Sequence, residues 1–267
     1  MSIPLRPEPD DRPAAPPLEP PSAPGPEPSP RRIERRGCVR RFWLPALLLF
    51  IAYLGLKAIT WPDVAALAKD NPKSTAFIDS YRNRWFFPDR EVEWKWVPYS
   101  RISRNLRRAV IVGEDGAFFG HEGFDTDEMK DAITKAIEKK RLPRGASTIT
   151  QQLAKNLWLS SSRNPLRKIE ELILTRQLEA NLTKKRILEI YLNVVELGPG
   201  IYGAEAASRH YFGRSAAGLS PHQAAQLAGS LPAPRTWHPG SDSKKYLWHV
   251  RWIERRMWRT GWVSGRV

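Results

Sequence analysis

Apolar residues recur along most of this chain with a helical period, and one segment breaks that period by being apolar almost throughout. From residue 101 onward the stretches RNLRRAVIVGED, DEMKDAITKAIEKK (127–140), STITQQLAKNLWL, NPLRKIEELILTRQLEANL, KKRILEIYLNVVE, GAEAASRHYF and SPHQAAQLAGSL each place apolar side chains three and four residues apart, so each predicts a helix. Two starts are signed locally. Asn164-Pro165 is a cap followed by proline at the first helical position, and Ser220-Pro221 repeats it with Gln223 completing a capping box. EVEWKWV (91–97) alternates charge with bulk and predicts a short strand. The body is expected to be mainly α.

The exceptional segment is FWLPALLLFIAYLGLKAITW (42–61), where fifteen residues pass without a charge before Lys57. With Lys57 snorkelling and a tryptophan near each end, about 20 residues suffice to span a bilayer. RRIERRGCVRR (31–41) precedes it with six arginines and one glutamate, which places the N-terminus in the cytoplasm and the chain beyond residue 61 outside, in the periplasm of a Gram-negative cell. No small-residue cleavage site ends the segment, so a retained single-pass anchor in the inner membrane is expected rather than a removed signal peptide. Residues 1–30 hold twelve of the 24 prolines and almost no large apolar residue, the composition of a disordered tail. The expected plan is therefore 1–41 as a Pro-rich then Arg-rich cytoplasmic segment, 42–61 as transmembrane anchor, 62–100 as connector and 101–267 as the main domain.

Composition narrows the partners. The formal net charge is +15 over 267 residues, which favours a polyanionic or phosphorylated partner or an anionic membrane. An extracytoplasmic domain argues against nucleic acid. The single cysteine, Cys38, allows no internal disulfide, and the five histidines form no cluster with zinc-ligand spacing.

GEDGAFFGHEGFD (113–125) concentrates the chemistry. Glu114, Asp115, His121 and Asp125 have metal-binding side chains. A carboxylate beside Phe118 and Phe119 is equally a candidate general base, and an ordinary polar loop is the third reading. In GASTITQQLAKN (145–156), Ser147, Gln151 and Lys155 fall on an arc of about 80° opposite Ile149, Leu153 and Leu157. Hydroxyls at a helix start with a lysine two turns on suit a phosphate. Plain capping accounts for the same residues, with Thr148 and Gln151 as a capping box. Arg167 and Lys168 in the first turn of the helix opening at Pro165 run against its dipole, which an anion would explain and a solvated charged face would also permit. Gly198-x-Gly200-x-x-Gly203 comes after a helix rather than a strand, so it reads as a tight turn and not a dinucleotide site. Ser241-x-x-Lys244 lies too near the end for a transpeptidase domain. KKYLWHVRWIERRMWRTGW (244–262) fits either an interfacial helix on anionic lipid or the closing helix of the domain.

EDGAFFGHEG (114–123), RGASTITQQLAKN (144–156), RKIEE (167–171) and KKRILEIYLN (184–193) with the adjoining GPGIYGAEAASRHYFG together resemble the peptidoglycan glycosyltransferases. This lysozyme-like family occurs alone in monofunctional enzymes and as the first domain of class A penicillin-binding proteins. WVPYSRISRNLRRAVIVGED and the single anchor resemble the monofunctional branch. The resemblance, over about residues 75–240, implies a lysozyme-like, two-lobed helical domain behind a transmembrane helix. It implies that lipid II is polymerised into β-1,4 glycan with inversion and release of polyprenyl pyrophosphate. By motif position Glu114 is the general base and Glu171 the second catalytic glutamate. Ser147, Lys155 and Arg163 contact the donor pyrophosphate, with Arg167 and Lys168 in the same electropositive wall. Gln151 and Gln152 order sugar or peptide groups, Asp115, Phe118, His121 and Thr148 bind substrate or support the site, and Lys184 and Asn193 support the cleft from another helix. No dedicated metal cage is implied; Mg2+ or Mn2+, if used, would bridge the substrate pyrophosphate. The implied partners are lipid II, the growing lipid-linked strand, the membrane and other cell-wall synthesis proteins. A lytic glycosidase and a non-catalytic membrane-tethered scaffold are the competing readings.

Overall fold

The computed structural model describes residue 25 and residues 36–83, 91–125, 147–159, 164–261 and 265–267. Most of the Pro-rich and Arg-rich segment, the expected helix over 127–140 and Arg163 lie outside the described residues. The chain divides into two compact units, residues 1–61 and 62–267.

The first unit contains helix α1 (Arg36–Ile59). Its described side chains are mostly apolar and exposed, among them Trp43, Leu47, Phe50, Leu56 and Ile59, with Lys57 half-buried in the last turn. Among the described residues no helix is long and apolar enough to cross a membrane, so the span expected over 42–61 is not a structural finding.

The second unit is mainly helical. Its helices are α2 (Ala76–Arg82), α3 (Arg104–Glu114), α4 (Ile149–Trp158), α5 (Pro165–Asn181), α6 (Lys184–Val194), α7 (Ala204–Phe212), α8 (Pro221–Ser230) and α9 (Lys244–Arg259). Most start on a side-chain cap that satisfies an otherwise unpaired backbone N–H. Thr75, Ser103, Thr148, Asn164, Thr183, Ser220 and Ser243 each accept from the backbone of the first turn. Thr148–Gln151 and Ser220–Gln223 close full capping boxes. Gly213, at φ 65°, ends α7 in the left-handed conformation glycine tolerates best.

Three short strands form one sheet in the order β1-β3-β2, with β1 (Glu93–Trp94) parallel to β3 (Ile201–Tyr202) and β2 (Glu196–Gly198) antiparallel to it. Glu93 faces Ile201 and Trp94 faces Tyr202 in register. The glycine-rich segment is thus a hairpin with its tight turn at Gly200 (φ 77°). Asn193 locks this corner: its amide accepts from Val97 N at 2.9 Å and donates to Val97 O at 2.9 Å, while its carbonyl accepts from the Trp94 indole at 2.7 Å. A Cβ on Gly203 would stand 2.4 Å from that carbonyl. Asn193 is therefore a buried structural tie.

The core gathers where apolar stripes meet. α3 packs on α8 and α9 through Leu106, Ala109 and Val110, and α4 packs on α2, α5 and α6 through Ile149, Leu153 and Leu157. Each such side chain, buried, stabilises by about 1.5–3 kcal/mol when large. The end of α3 meets the start of α4, and the candidate site is built at that junction.

Candidate active site

α3 stops at Glu114 because Asp115 leaves helical geometry (φ −159°, ψ 78°). The loop after it is fastened from below. Asp115 Oδ2 accepts from Ile149 N at 2.9 Å, the first residue of α4, where a carboxylate also complements the helix dipole. Asp115 Oδ1 lies 2.9 Å from His121 Nε2, and His121 Nδ1 accepts from Gly123 N at 3.1 Å. That pair of contacts puts the imidazole proton on Nε2, donated to Asp115. Thr148 Oγ1 donates to Gly123 O at 2.7 Å. Gly123, at φ 88°, presses on α5: an added Cβ would meet Thr175 Cγ2 at 2.8 Å. Both oxygens of Asp115 and both nitrogens of His121 are used in holding the loop to α4. Among the described residues no group of three or more His, Cys, Asp or Glu side chains is placed to hold a metal. The ring of Phe118 contacts Phe119 and His121, with Lys184 Nζ 4.7 Å from the Phe118 centroid.

Glu114, the last residue of α3, takes no part in these fastenings. Gln152 Nε2 donates to its Oε2 at 2.8 Å, and Gln152 Oε1 accepts from the Tyr191 hydroxyl at 2.8 Å. Burial pushes the Glu114 carboxyl above its ordinary value and the neighbouring Asp115 charge adds to this, against the Gln152 hydrogen bond and the Lys155 charge. Burial, with the charges of Glu114 and Asp115, drives the Tyr191 phenol well up, so it stays protonated and serves as donor.

Lys155 connects this carboxyl to a cationic group on α5. Burial pushes its ammonium below the usual lysine range, as do the charges of Arg167 and Lys168; Glu171 and Glu114 pull it back up. Glu171 is buried and gathers the α5 cations: its Oε2 accepts from Arg167 Nη1 at 2.9 Å and its Oε1 from Lys168 Nζ. A buried carboxylate satisfied twice at the first turns of α5 fixes two cations beside a third, an arrangement that favours a multiply charged anion.

The remaining expected residues fall in two groups. Gln152 faces Glu114, whereas Gln151 is buried and spends its side chain on the cap, accepting from Thr148 N at 3.0 Å. Gln151 and Lys155 therefore do not form one ligand face; the capping reading holds for Thr148 and Gln151. Ser147 is exposed just before the helix. Lys184 pairs with Glu179 at 2.8 Å, and Thr150 Oγ1 donates to the same Glu179 oxygen at 2.5 Å, tying α4, α5 and α6 together. Sequence reasoning misses Tyr191 and Glu179. Tyr191 carries a signal, since a hydroxyl among the buried Ile187, Leu188 and Val194 needs a partner.

Over residues 83–258 the chain matches the family model described as Transglycosylase. The chain belongs to the transglycosylase family. It is similar to the "Biosynthetic peptidoglycan transglycosylase" of Thiobacillus denitrificans, with 46% identity over 213 residues, 79% of this chain and 89% of that relative. The protein of the same name from Laribacter hongkongensis is 47% identical over 190 residues, 70% of this chain and 83% of its own length. That from Herminiimonas arsenicoxydans is 48% identical over 201 residues, 73% and 84% respectively. The transglycosylase match contains all the described residues gathered at the α3–α4 junction and on α5.

Proposed function

We propose that this transglycosylase is a peptidoglycan glycosyltransferase that polymerises lipid II. The observation that carries the reading is the placement of one half-buried, hydrogen-bonded carboxyl, Glu114, in electrostatic contact through Lys155 with the cations held by Glu171. One end of such a site can take a proton and the other can receive a departing phosphate.

In this reading Glu114, ionised, accepts the proton of the acceptor 4-hydroxyl. The hydroxyl oxygen attacks the anomeric carbon of the donor from the face opposite the pyrophosphate, and the C–O bond to the pyrophosphate breaks with its electron pair leaving on oxygen. Attack from the opposite face turns the α linkage into β-1,4. Lys155, Arg167 and Lys168, with Ser147 and Arg163 by motif position, stabilise the charge that develops on the leaving group. Glu171 positions its two cations. Gln152 orients Glu114, and Asp115, His121 and Thr148 hold the loop.

The reading extends to architecture. α3, α8 and α9 would form one lobe and α2, α4, α5 and α6 the other of a lysozyme-like domain. The largely apolar stretch 42–61, which follows the six arginines of 31–41 and makes up most of α1, would be a single-pass inner-membrane anchor, with the N-terminus cytoplasmic, the domain periplasmic and other cell-wall synthesis proteins as neighbours. Three cations around the phosphate position are a poor donor set for a metal, so Mg2+ or Mn2+ would be held by substrate phosphate oxygens and would supply Lewis-acid stabilisation there.

The test is incubation of the purified full chain with lipid II, with and without Mg2+, followed by glycan-chain analysis. Polymer is expected. Release of muropeptides from sacculi without polymer would instead identify a lytic glycosidase, and neither product a scaffold.

A further inference from the structure

α9 uses two faces. Tyr246, Val250, Ile253 and Met257 are buried where the helix packs on α3 and α8. At about 100° per residue, Leu247, Trp248, Arg251, Arg255, Trp258 and Arg259 occupy an arc of about 120° on the other side. All of them are exposed. Trp258 is 82% exposed, Trp248 56% and Leu247 40%. Single apolar residues on a surface need no explanation, but here two indoles and a leucine share one stripe with three arginines. Lys244 and Lys245 add two cations at the first turn. The one acid of the helix, Glu254, stands at the edge of the arc and is paired with His222 at 2.6 Å. The stripe thus carries indoles and cations with no acid within it.

We propose that this face of α9 lies on an anionic phospholipid surface. Indole rings settle at the headgroup level, leucine enters the acyl boundary, and arginines complement lipid phosphates. The contact is separate from α1 and goes beyond the proposed reaction. Its position has a consequence that rests on that reaction: a Cβ on Gly116 would stand 3.2 Å from Arg256 Nη2, so the C-terminal end of α9 borders the loop behind Glu114. A bilayer against α9 would bring that loop close to a lipid-linked substrate.

The experiment uses the full chain in vesicles, so that α1 is present in every sample. In a Cys38→Ser background, Leu247→Cys carries a fluorescent label, and Gly218→Cys, at an exposed position with open space around it, carries the control label. Quenching by a lipid-borne quencher is read in vesicles containing phosphatidylglycerol and in phosphatidylcholine alone. The expected result is several-fold stronger quenching at 247 than at 218 with phosphatidylglycerol, reduced to the control level in phosphatidylcholine or by Arg251→Glu with Arg255→Glu. Equal quenching at both positions with phosphatidylglycerol overturns the proposal. So does quenching at 247 that ignores both lipid charge and charge reversal. Shielding of the 247 label in detergent that grows with protein concentration also overturns it, identifying a second copy as the occupant. None of these readouts depends on lipid II turnover, so the contact and the reaction fail separately.

Discussion

The side-chain amide of Gln152 donates to Glu114 Oε2 at 2.8 Å, joining two helices across 38 residues of sequence. The amide cannot turn freely, because Tyr191 donates to its oxygen at 2.8 Å. A protonated phenol on one side fixes the amide N–H toward the carboxyl on the other. This polarity suits an ionised Glu114, since the reverse orientation would set oxygen against oxygen.

Replacing Gln152 with alanine removes the hydrogen bond that opposes the upward push on Glu114. The carboxyl should then rise further. Glu114 must be ionised to accept a proton, so activity is present above its pKa and is lost as pH falls through it. The acid limb of the kcat/KM profile should therefore move to higher pH, with a loss of about tenfold on that limb, as expected for one hydrogen bond to a charged group. A pH–rate series on the variant and parent reads this.

Tyr191→Phe should lower kcat several-fold and leave KM nearly unchanged, because Tyr191 acts through Gln152. The folded protein should lose about 1 kcal/mol, the usual cost of one hydrogen bond. Steady-state kinetics with denaturant unfolding separates the two effects.

Asp115 has a different task from its neighbour. Asp115→Ala leaves the Ile149 N–H and the His121 Nε2–H without their acceptor, which should cost about 1–3 kcal/mol for each buried group that stays unsatisfied. Asp115→Asn retains one acceptor and should recover part of the loss. Thermal unfolding of the two variants gives the ranking.

At the other end of the site, Glu171→Gln should act through Lys155. Glu171 raises the Lys155 ammonium, which burial, Arg167 and Lys168 lower. Without that charge the lysine should fall further. A lysine keeps its charge below its pKa and loses it as pH rises, so the alkaline limb of the rate profile should shift to lower pH. Lys155→Arg should restore a flat alkaline side, and Lys155→Ala should weaken donor use more than acceptor use.

Much of the scaffold was legible because its signals are local. Asn164-Pro165, Ser220-Pro221-x-Gln223 and Thr148-x-x-Gln151 begin helices where their capping chemistry says they should. EVEWKWV yields a strand, shortened to Glu93–Trp94, because its partner is Ile201–Tyr202 and no local pattern announces so distant a pairing. The site was legible by motif position but not by side-chain direction. Periodicity groups Gln151 with Lys155, whereas Gln151 folds back on its own helix start and Gln152 reaches Glu114. That choice depends on Tyr191 and Glu114 meeting in space, which spacing along one helix does not encode. Likewise His121 and Asp115 have the residue types of a metal site, and only their contacts with Gly123 and Ile149 show them used as fastenings.

The central claim is that Glu114 takes the proton from the acceptor hydroxyl. Its most direct test is the polymerisation rate of Glu114→Gln on lipid II, read by gel analysis of glycan products beside a check that the variant unfolds at the parental temperature. The account predicts a folded protein slowed by roughly 10²–10⁴, the usual contribution of a placed general base. A folded Glu114→Gln protein that polymerises at close to the parental rate would contradict it.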